Sequence, residues 1–201
     1  MQYRRFGKTG LSVSAIGLGT EYLINLPQKT VIEVIHQAIS QGINYFDLFF
    51  AQPQFRDNMG AAFKGYRNQV ILAAHLGAID SNGQYDRTRD PKTSENFFFD
   101  FLARFETTHT DILYIHNIDT QRDYDIVFKP GGLVDVAERF RQEGKTRYIG
   151  LSGHTVATSL QAVESGRIDV LMFPINMASH AIQGKMNCLQ HVPPGKSDWW
   201  P

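Results

Sequence analysis

The sequence predicts an α/β fold: an incomplete parallel barrel of six strand–helix units behind an N-terminal β-hairpin. Three observations carry this reading. Short β-branched or aromatic runs alternate with amphipathic helical stretches as far as residue 175, and strict alternation implies parallel strands with helical crossovers. Six strand units in a row after a hairpin suit a barrel better than an open doubly wound sheet. The glycines after the first barrel strand, Gly17 and Gly19, do not complete a G-x-G-x-x-G dinucleotide fingerprint, because Tyr22 occupies the third glycine position. A complete eight-stranded barrel usually needs about 250 residues, and this chain has 201.

Each element has its own signal. Residues 2–5 and 12–15 flank the turn Gly7-Lys8-Thr9-Gly10 and read as the hairpin. Residues 16–20 form the first barrel strand. Residues 27–41 carry Val31, Ile32, Ile35, Ala38 and Ile39 at helical spacing, with Gly42 placed as a C-cap. Strand 43–49, helix 53–64, strand 70–76 and helix 94–105 follow, then strand 111–118, helix 133–143, strand 146–151, helix 156–165 and strand 169–175. The segment 177–188 reads as a helix stub. Periodicity is lost in HVPPGKSDWWP, which reads as an unstructured tail, so residues 1–176 form the barrel unit and 177–201 a divergent end.

Composition narrows the function classes. Hydrophobic residues make up 42% of the chain and charged residues 20%, which supports a buried core. Lys plus Arg equals Asp plus Glu at 20 each, so no basic excess exists for nucleic-acid phosphates. A single cysteine, Cys188, excludes an intrachain disulfide and a thiolate metal cage. The polar opening MQYRRFGKTG lacks a signal-peptide core, and no apolar run is long enough to span a bilayer. The expectation is a cytoplasmic protein with no membrane partner.

Strand parity then singles out residues. Side chains alternate across a strand. Tyr45 and Asp47 share a face in the second barrel strand, Ala73 and His75 in the third, Tyr114 and His116 in the fourth, Gly150 and Ser152 in the fifth. Each series ends in one polar residue at the C-terminal strand end, where barrel chemistry sits. Any one of them alone reads as a satisfied buried polar group; four at equivalent positions read as a site.

Those segments resemble the aldo-keto reductase superfamily over residues 1 to about 176. The resemblance rests on MQYRRFGKTGLSVSAIGLGT, GINYFD, VILAAHLG, DILYIHNID and EGKTRYIGLSGHT, in the family's order and spacing. It implies a (β/α)8 TIM-type barrel that reduces small carbonyl compounds with NADPH through an aspartate, a tyrosine, a lysine and a histidine. Asp47 and His116 match the family aspartate and histidine. Gln52 stands where the family has its tyrosine, and His75 where it has its lysine. Thr20, Asp47 and Ser152 fall at cofactor-binding positions, while Gly153 replaces an asparagine that helps hold the nicotinamide carboxamide, and Met172 replaces a glutamine. The family segment that holds the adenosine and its 2′-phosphate has no counterpart in this chain.

These departures set the expectations. Reduction by hydride needs a proton donor at the carbonyl oxygen. Gln52 can accept or donate a hydrogen bond but cannot serve as that acid, so weak or absent activity is expected unless a histidine replaces the tyrosine. A non-catalytic barrel remnant is the alternative, and a metal-dependent enzyme using Asp47, His75, His116 and His154 is a third reading. Open edges on the first and sixth strands invite self-association. Phe97, Phe98, Phe99 and Phe101 read as a helix face packed on the barrel. Residues 80–91 read either as a loop covering the mouth or as a solvated insertion.

Overall fold

Strand registers sort the chain into a barrel interior and a helix-covered exterior. The structure, a computed structural model, describes residues 1–176; the expected helix stub and tail at 177–201 lie outside the described residues. The opening hairpin pairs β1 (Tyr3–Arg5) with β2 (Ser12–Ser14). The parallel sheet begins with β3 (Leu18–Gly19), β4 (Tyr45–Leu48) and β5 (Ile71–Leu76). A second antiparallel hairpin, β6 (Ala78–Ser81) and β7 (Gln84–Arg87), then interrupts it. The sheet resumes with β8 (Thr110–Ile115), β9 (Thr146–Ser152) and β10 (Val170–Met172).

The six parallel strands lie in the order β10-β9-β8-β5-β4-β3. That is chain order with the second hairpin left out. A doubly wound sheet would reverse direction at a switch point; a sheet that never reverses is the wall of a barrel. Among the described residues β3 pairs only with β4 and β10 only with β9, so the wall is curled but open. Both outer strands are shorter than the sequence suggests, because each has a ladder on one side only. Ile16, expected within the first strand, is 62% exposed.

Six crossover segments cover the outside: α1 (Gln28–Ser40), α2 (Pro53–Phe63), α3 (Pro91–Arg104), α4 (Gln121–Phe128), α5 (Leu133–Gln142) and α6 (Val156–Glu164). Proline opens α2 and α3, where its missing N–H costs nothing. Asp90 caps α3 by accepting from the Thr93 N–H at 2.7 Å. Phe98 and Phe101 are buried against the sheet, but Phe99 is 41% exposed. Successive helical residues turn by about 100°, so the three consecutive phenylalanines cannot all face inward as expected. No helix among the described residues is long and apolar enough to cross a membrane.

Two elements were not anticipated. Helix α4 lies between strand 111–118 and helix 133–143, where the sequence reading assigns no element; its start is set by Thr120, whose hydroxyl oxygen accepts from the Asp123 N–H at 3.0 Å. The segment from residue 78 is a regular hairpin rather than a loop. Its turn is Asn82-Gly83, both at positive φ (55° and 81°), the geometry that a two-residue hairpin turn needs and that Asn-Gly supplies.

The interior is filled from the wall and from below. Ile71, Ala73, Ile112 and Tyr114 form its layer, closed by Leu11 and Val13 of the first hairpin. Gly150 makes room for the Tyr114 ring: a Cβ there would lie 2.3 Å from it. The Tyr114 hydroxyl meets that of Tyr45 at 2.9 Å, and Tyr148 donates to the Thr9 carbonyl, tying the hairpin across the base.

Candidate active site

Asp47 ends the inward face of β4. Its main-chain carbonyl accepts the Thr20 hydroxyl at 2.6 Å, so Thr20, fully buried, fixes the strand end that presents the carboxylate. His75 is the fifth residue of β5, and His116 follows β8 directly. His75 Nε2 lies 2.7 Å from Asp47 Oδ1, and His75 Nδ1 lies 2.8 Å from His116 Nδ1. The parity of three adjacent strands thus becomes one hydrogen-bonded line, Asp47–His75–His116.

The line continues to a residue that the sequence reading passed over. His116 Nε2 lies 2.6 Å from the hydroxyl of Tyr85, on the β6–β7 hairpin. Phe49, just after β4, holds this end in place. Its ring stacks on His116 (centroids 5.6 Å, planes 16° apart) and meets Tyr85 edge-on at 5.5 Å. Arg89 clamps the backbone beneath, donating to the carbonyls of His116 and Asn117 at 2.8 Å each, while its Nε pairs with Asp123 at 2.9 Å. Asn117 sits at φ 53°, an uncommon conformation outside glycine. The clamp holds it there, and its N–H donates to Ser152 Oγ at 2.9 Å.

The electrostatics favour a neutral His116. Burial, reinforced by the charge of His75 and of Arg89 and Arg87, pushes its pKa down to about 2. Partial burial raises the Tyr85 phenol above its ordinary value, against the opposing pull of Arg87. Two cations therefore border a mouth whose terminal groups are an uncharged imidazole and an intact phenol.

The other sequence-predicted residues stand apart from the line. Gln52 precedes α2; its Nε2 reaches Asn25 Oδ1 at 3.5 Å, and its Oε1 is buried without a hydrogen-bond partner. His154 pairs with Asp119 at 2.9 Å. The metal reading finds no support in the geometry: Asp47, His75 and His116 satisfy one another in sequence rather than turning donors to one centre. Among the described residues no group of three or more His, Cys, Asp or Glu is arranged to hold a metal ion. Two cavities lie apart from the line. One of about 310 Å³ opens beside Arg67, Asp111 and Arg147 at the N-terminal strand ends. One of about 300 Å³ lies on the open side, lined by Phe6, Tyr45, Tyr114 and Met172.

Ser152 closes the same end of the sheet as the last residue of β9. Its Oγ is held as an acceptor by Asn117, which leaves the hydroxyl proton to donate. The neighbouring Gly153 cannot simply be an asparagine here, because a Cβ would lie 2.8 Å from the Ile118 carbonyl.

Known proteins share this arrangement of elements. L-Galactose dehydrogenase of Arabidopsis thaliana is 26% identical over 184 residues, covering 86% of this chain and 56% of that protein. The aldo-keto reductase YhdN of Bacillus subtilis is 30% identical over 169 residues, covering 78% of this chain and 48% of its own. The chain thus spans about half the length of these relatives. The crystal structure of PA4992 from Pseudomonas aeruginosa superposes with a TM-score of 0.79 at 23% identity, covering 94% of this chain and 73% of that one. The holo form of an aldo-keto reductase from Bacillus halodurans gives 0.74 at 23% identity, covering 87% and 58%. The model of the Aldo/keto reductase family matches residues 15–191, and with that match, the barrel wall and the Asp47 and His116 strand ends in place, the chain belongs to this family.

Proposed function

We propose that the chain reduces a small carbonyl compound with NADPH at the mouth formed by the ends of β4, β5, β8 and β9. The observation that carries this reading is the unbroken line from Asp47 through His75 to His116, which leads from a carboxylate to the mouth and can deliver a proton there. The names of the matched relatives, a dehydrogenase and an aldo-keto reductase, support the reaction class.

A bound reduced nicotinamide would supply the hydride. Ser152 would donate to its carboxamide, and Asp47 and Thr20, at the same end of the sheet, would complete its contacts. Gly153 leaves the carboxamide with one side-chain partner where the family has two, which predicts weaker binding. The chain's own residues bind and orient the reactants, exclude water through Phe49, and hold the proton. Titration of NADPH fluorescence with the purified chain, followed by turnover of an aldehyde panel, tests the reading. Saturable binding with aldehyde-dependent NADPH consumption is the expected outcome; no saturable change in fluorescence would overturn it.

A further inference from the structure

We infer that Tyr85, carried to the mouth by the β6–β7 hairpin, is the proton donor to the substrate oxygen and stands in for the family tyrosine that Gln52 displaces. The inference rests on the carbonyl-reductase reading above and names the acid that reading needs.

Three observations converge on Tyr85. Its hydroxyl is 2.6 Å from His116 Nε2, which places it at the end of the Asp47–His75–His116 line. The residue is 42% exposed, so a substrate can approach, yet Phe49 and Phe50 hold its ring edge-on at 5.5 and 6.0 Å. Gln52 Nε2 reaches Asn25 Oδ1 at 3.5 Å, and its amide carries no ionisable proton.

Proton counting shows how the line serves this role. The Asp47 carboxylate only accepts, so His75 Nε2 carries a hydrogen. With both imidazoles neutral, one hydrogen lies between the two Nδ1 atoms. It must sit on His116, because neutral His75 already carries its one hydrogen on Nε2; His116 Nε2 is then the acceptor for the Tyr85 O–H. In that state the phenol donates inward. One added proton reverses every bond: His75 Nδ1–H donates to His116 Nδ1, His116 Nε2–H donates to the Tyr85 oxygen, and the Tyr85 O–H is free to point at a substrate. Asp47 Oδ1 lies 2.7 Å from Nε2 of His75, the imidazole that carries the added proton.

From the charged state the step balances. The carbonyl carbon gains a C–H bond with the hydride of a reduced nicotinamide dinucleotide, which is oxidised as the carbonyl is reduced. The carbonyl oxygen gains an O–H bond as the Tyr85 O–H breaks. Tyr85 recovers a proton from His116 Nε2, and His116 Nδ1 recovers one from His75 Nδ1. The line ends one proton poorer, with His75 neutral and its Nε2–H still on Asp47, and solvent restores the missing proton. The Tyr85 oxygen must regain a proton as its own leaves, which is what the line allows.

The test uses Tyr85→Phe, which keeps the ring and its contacts, with Gln52→Ala as the comparison. In the chain without cofactor, ¹⁵N-histidine NMR should show the His116 Nε2 resonance displaced by Tyr85→Phe and unmoved by Gln52→Ala. An unmoved resonance in Tyr85→Phe overturns the inference, whatever the activity. With NADPH and an aldehyde, Tyr85→Phe should lower kcat by about 10²–10⁴-fold, the usual weight of positioned acid–base catalysis, with NADPH affinity unchanged. Gln52→Ala should stay within a few-fold of the parent chain. Full activity in Tyr85→Phe overturns the assignment alone. A parent chain that turns over no carbonyl overturns the reading beneath it and the assignment with it.

Discussion

The hydroxyl of Tyr85 and Nε2 of His116 lie 2.6 Å apart although one residue comes from an antiparallel hairpin and the other from a barrel strand end. The contact joins an insertion to the line of polar residues that the barrel wall aims at its mouth. It makes the protonation state of the whole line depend on a residue outside the wall.

Asp47 should anchor the line. Asp47→Asn keeps a hydrogen-bond acceptor for His75 Nε2 but removes the carboxylate charge 2.7 Å from it. The kcat for carbonyl reduction should fall about tenfold or more at neutral pH. An unchanged kcat would show that the carboxylate does not act through His75.

His116 should make the fold acid-sensitive. Its folded pKa of about 2 lies below the ordinary 6.5, so the unfolded chain binds a proton that the folded chain refuses. Stability from this group is complete above about pH 6.5 and is lost as pH falls below it, by up to ~1.4 kcal/mol per pH unit for one proton. His116→Asn has no such proton to refuse. Urea denaturation between neutral and mildly acid pH should therefore show a steeper loss in the parent chain than in His116→Asn, and equal slopes would remove His116 as the cause.

The wall was legible in the sequence because parallel strands buried on both faces leave strong apolar runs and a strict two-residue parity. Asp47, His75, His116 and Ser152 follow from that parity alone. The hairpin was less visible, since β7 is exposed along its length and carries no apolar alternation. Its one clear signal was local: Asn82-Gly83 between residues of extended propensity. Tyr85 and Phe49 carry no pattern of their own. Tyr85 reaches His116 only through the fold of a hairpin that buries little, and Phe49 lies just past a strand end where parity stops applying. Gln52 was identified by its position in a motif, and position did not predict that its amide would turn to Asn25.

The barrel interior offers a test of packing independent of catalysis. The Tyr45 and Tyr114 hydroxyls are partners at 2.9 Å, and burial raises both phenols above their ordinary pKa. Tyr45→Phe leaves the deeply buried Tyr114 hydroxyl without that partner and should cost about 1–3 kcal/mol. Removing both hydroxyls leaves no buried donor unsatisfied. The double variant should therefore be more stable than the sum of the single losses predicts, a coupling that denaturation of all four chains measures. Additive losses would mean that each hydroxyl finds another partner.

Gly77 should be the point where barrel and hairpin are joined. It lies between the end of β5 and the start of β6 at φ 98°, a conformation that side-chain-bearing residues rarely adopt. A Cβ there would also lie 2.9 Å from the Thr88 carbonyl, and the Gly77 carbonyl accepts from the Thr88 N–H at 2.9 Å, closing the base of the hairpin. Gly77→Ala meets both the backbone strain and the close contact. It should cost about 1–3 kcal/mol, and the strain is relieved most readily by opening the hairpin rather than the wall. Amide exchange should then rise across β6 and β7 while β5 and β8 stay protected. If Tyr85 acts from the hairpin, kcat should fall in the same variant with little change in NADPH affinity, because Ser152 and Asp47 stand on the undisturbed wall. Loss of protection across the wall as well would show that the hairpin is part of the barrel's own folding unit and would remove the separation this prediction depends on.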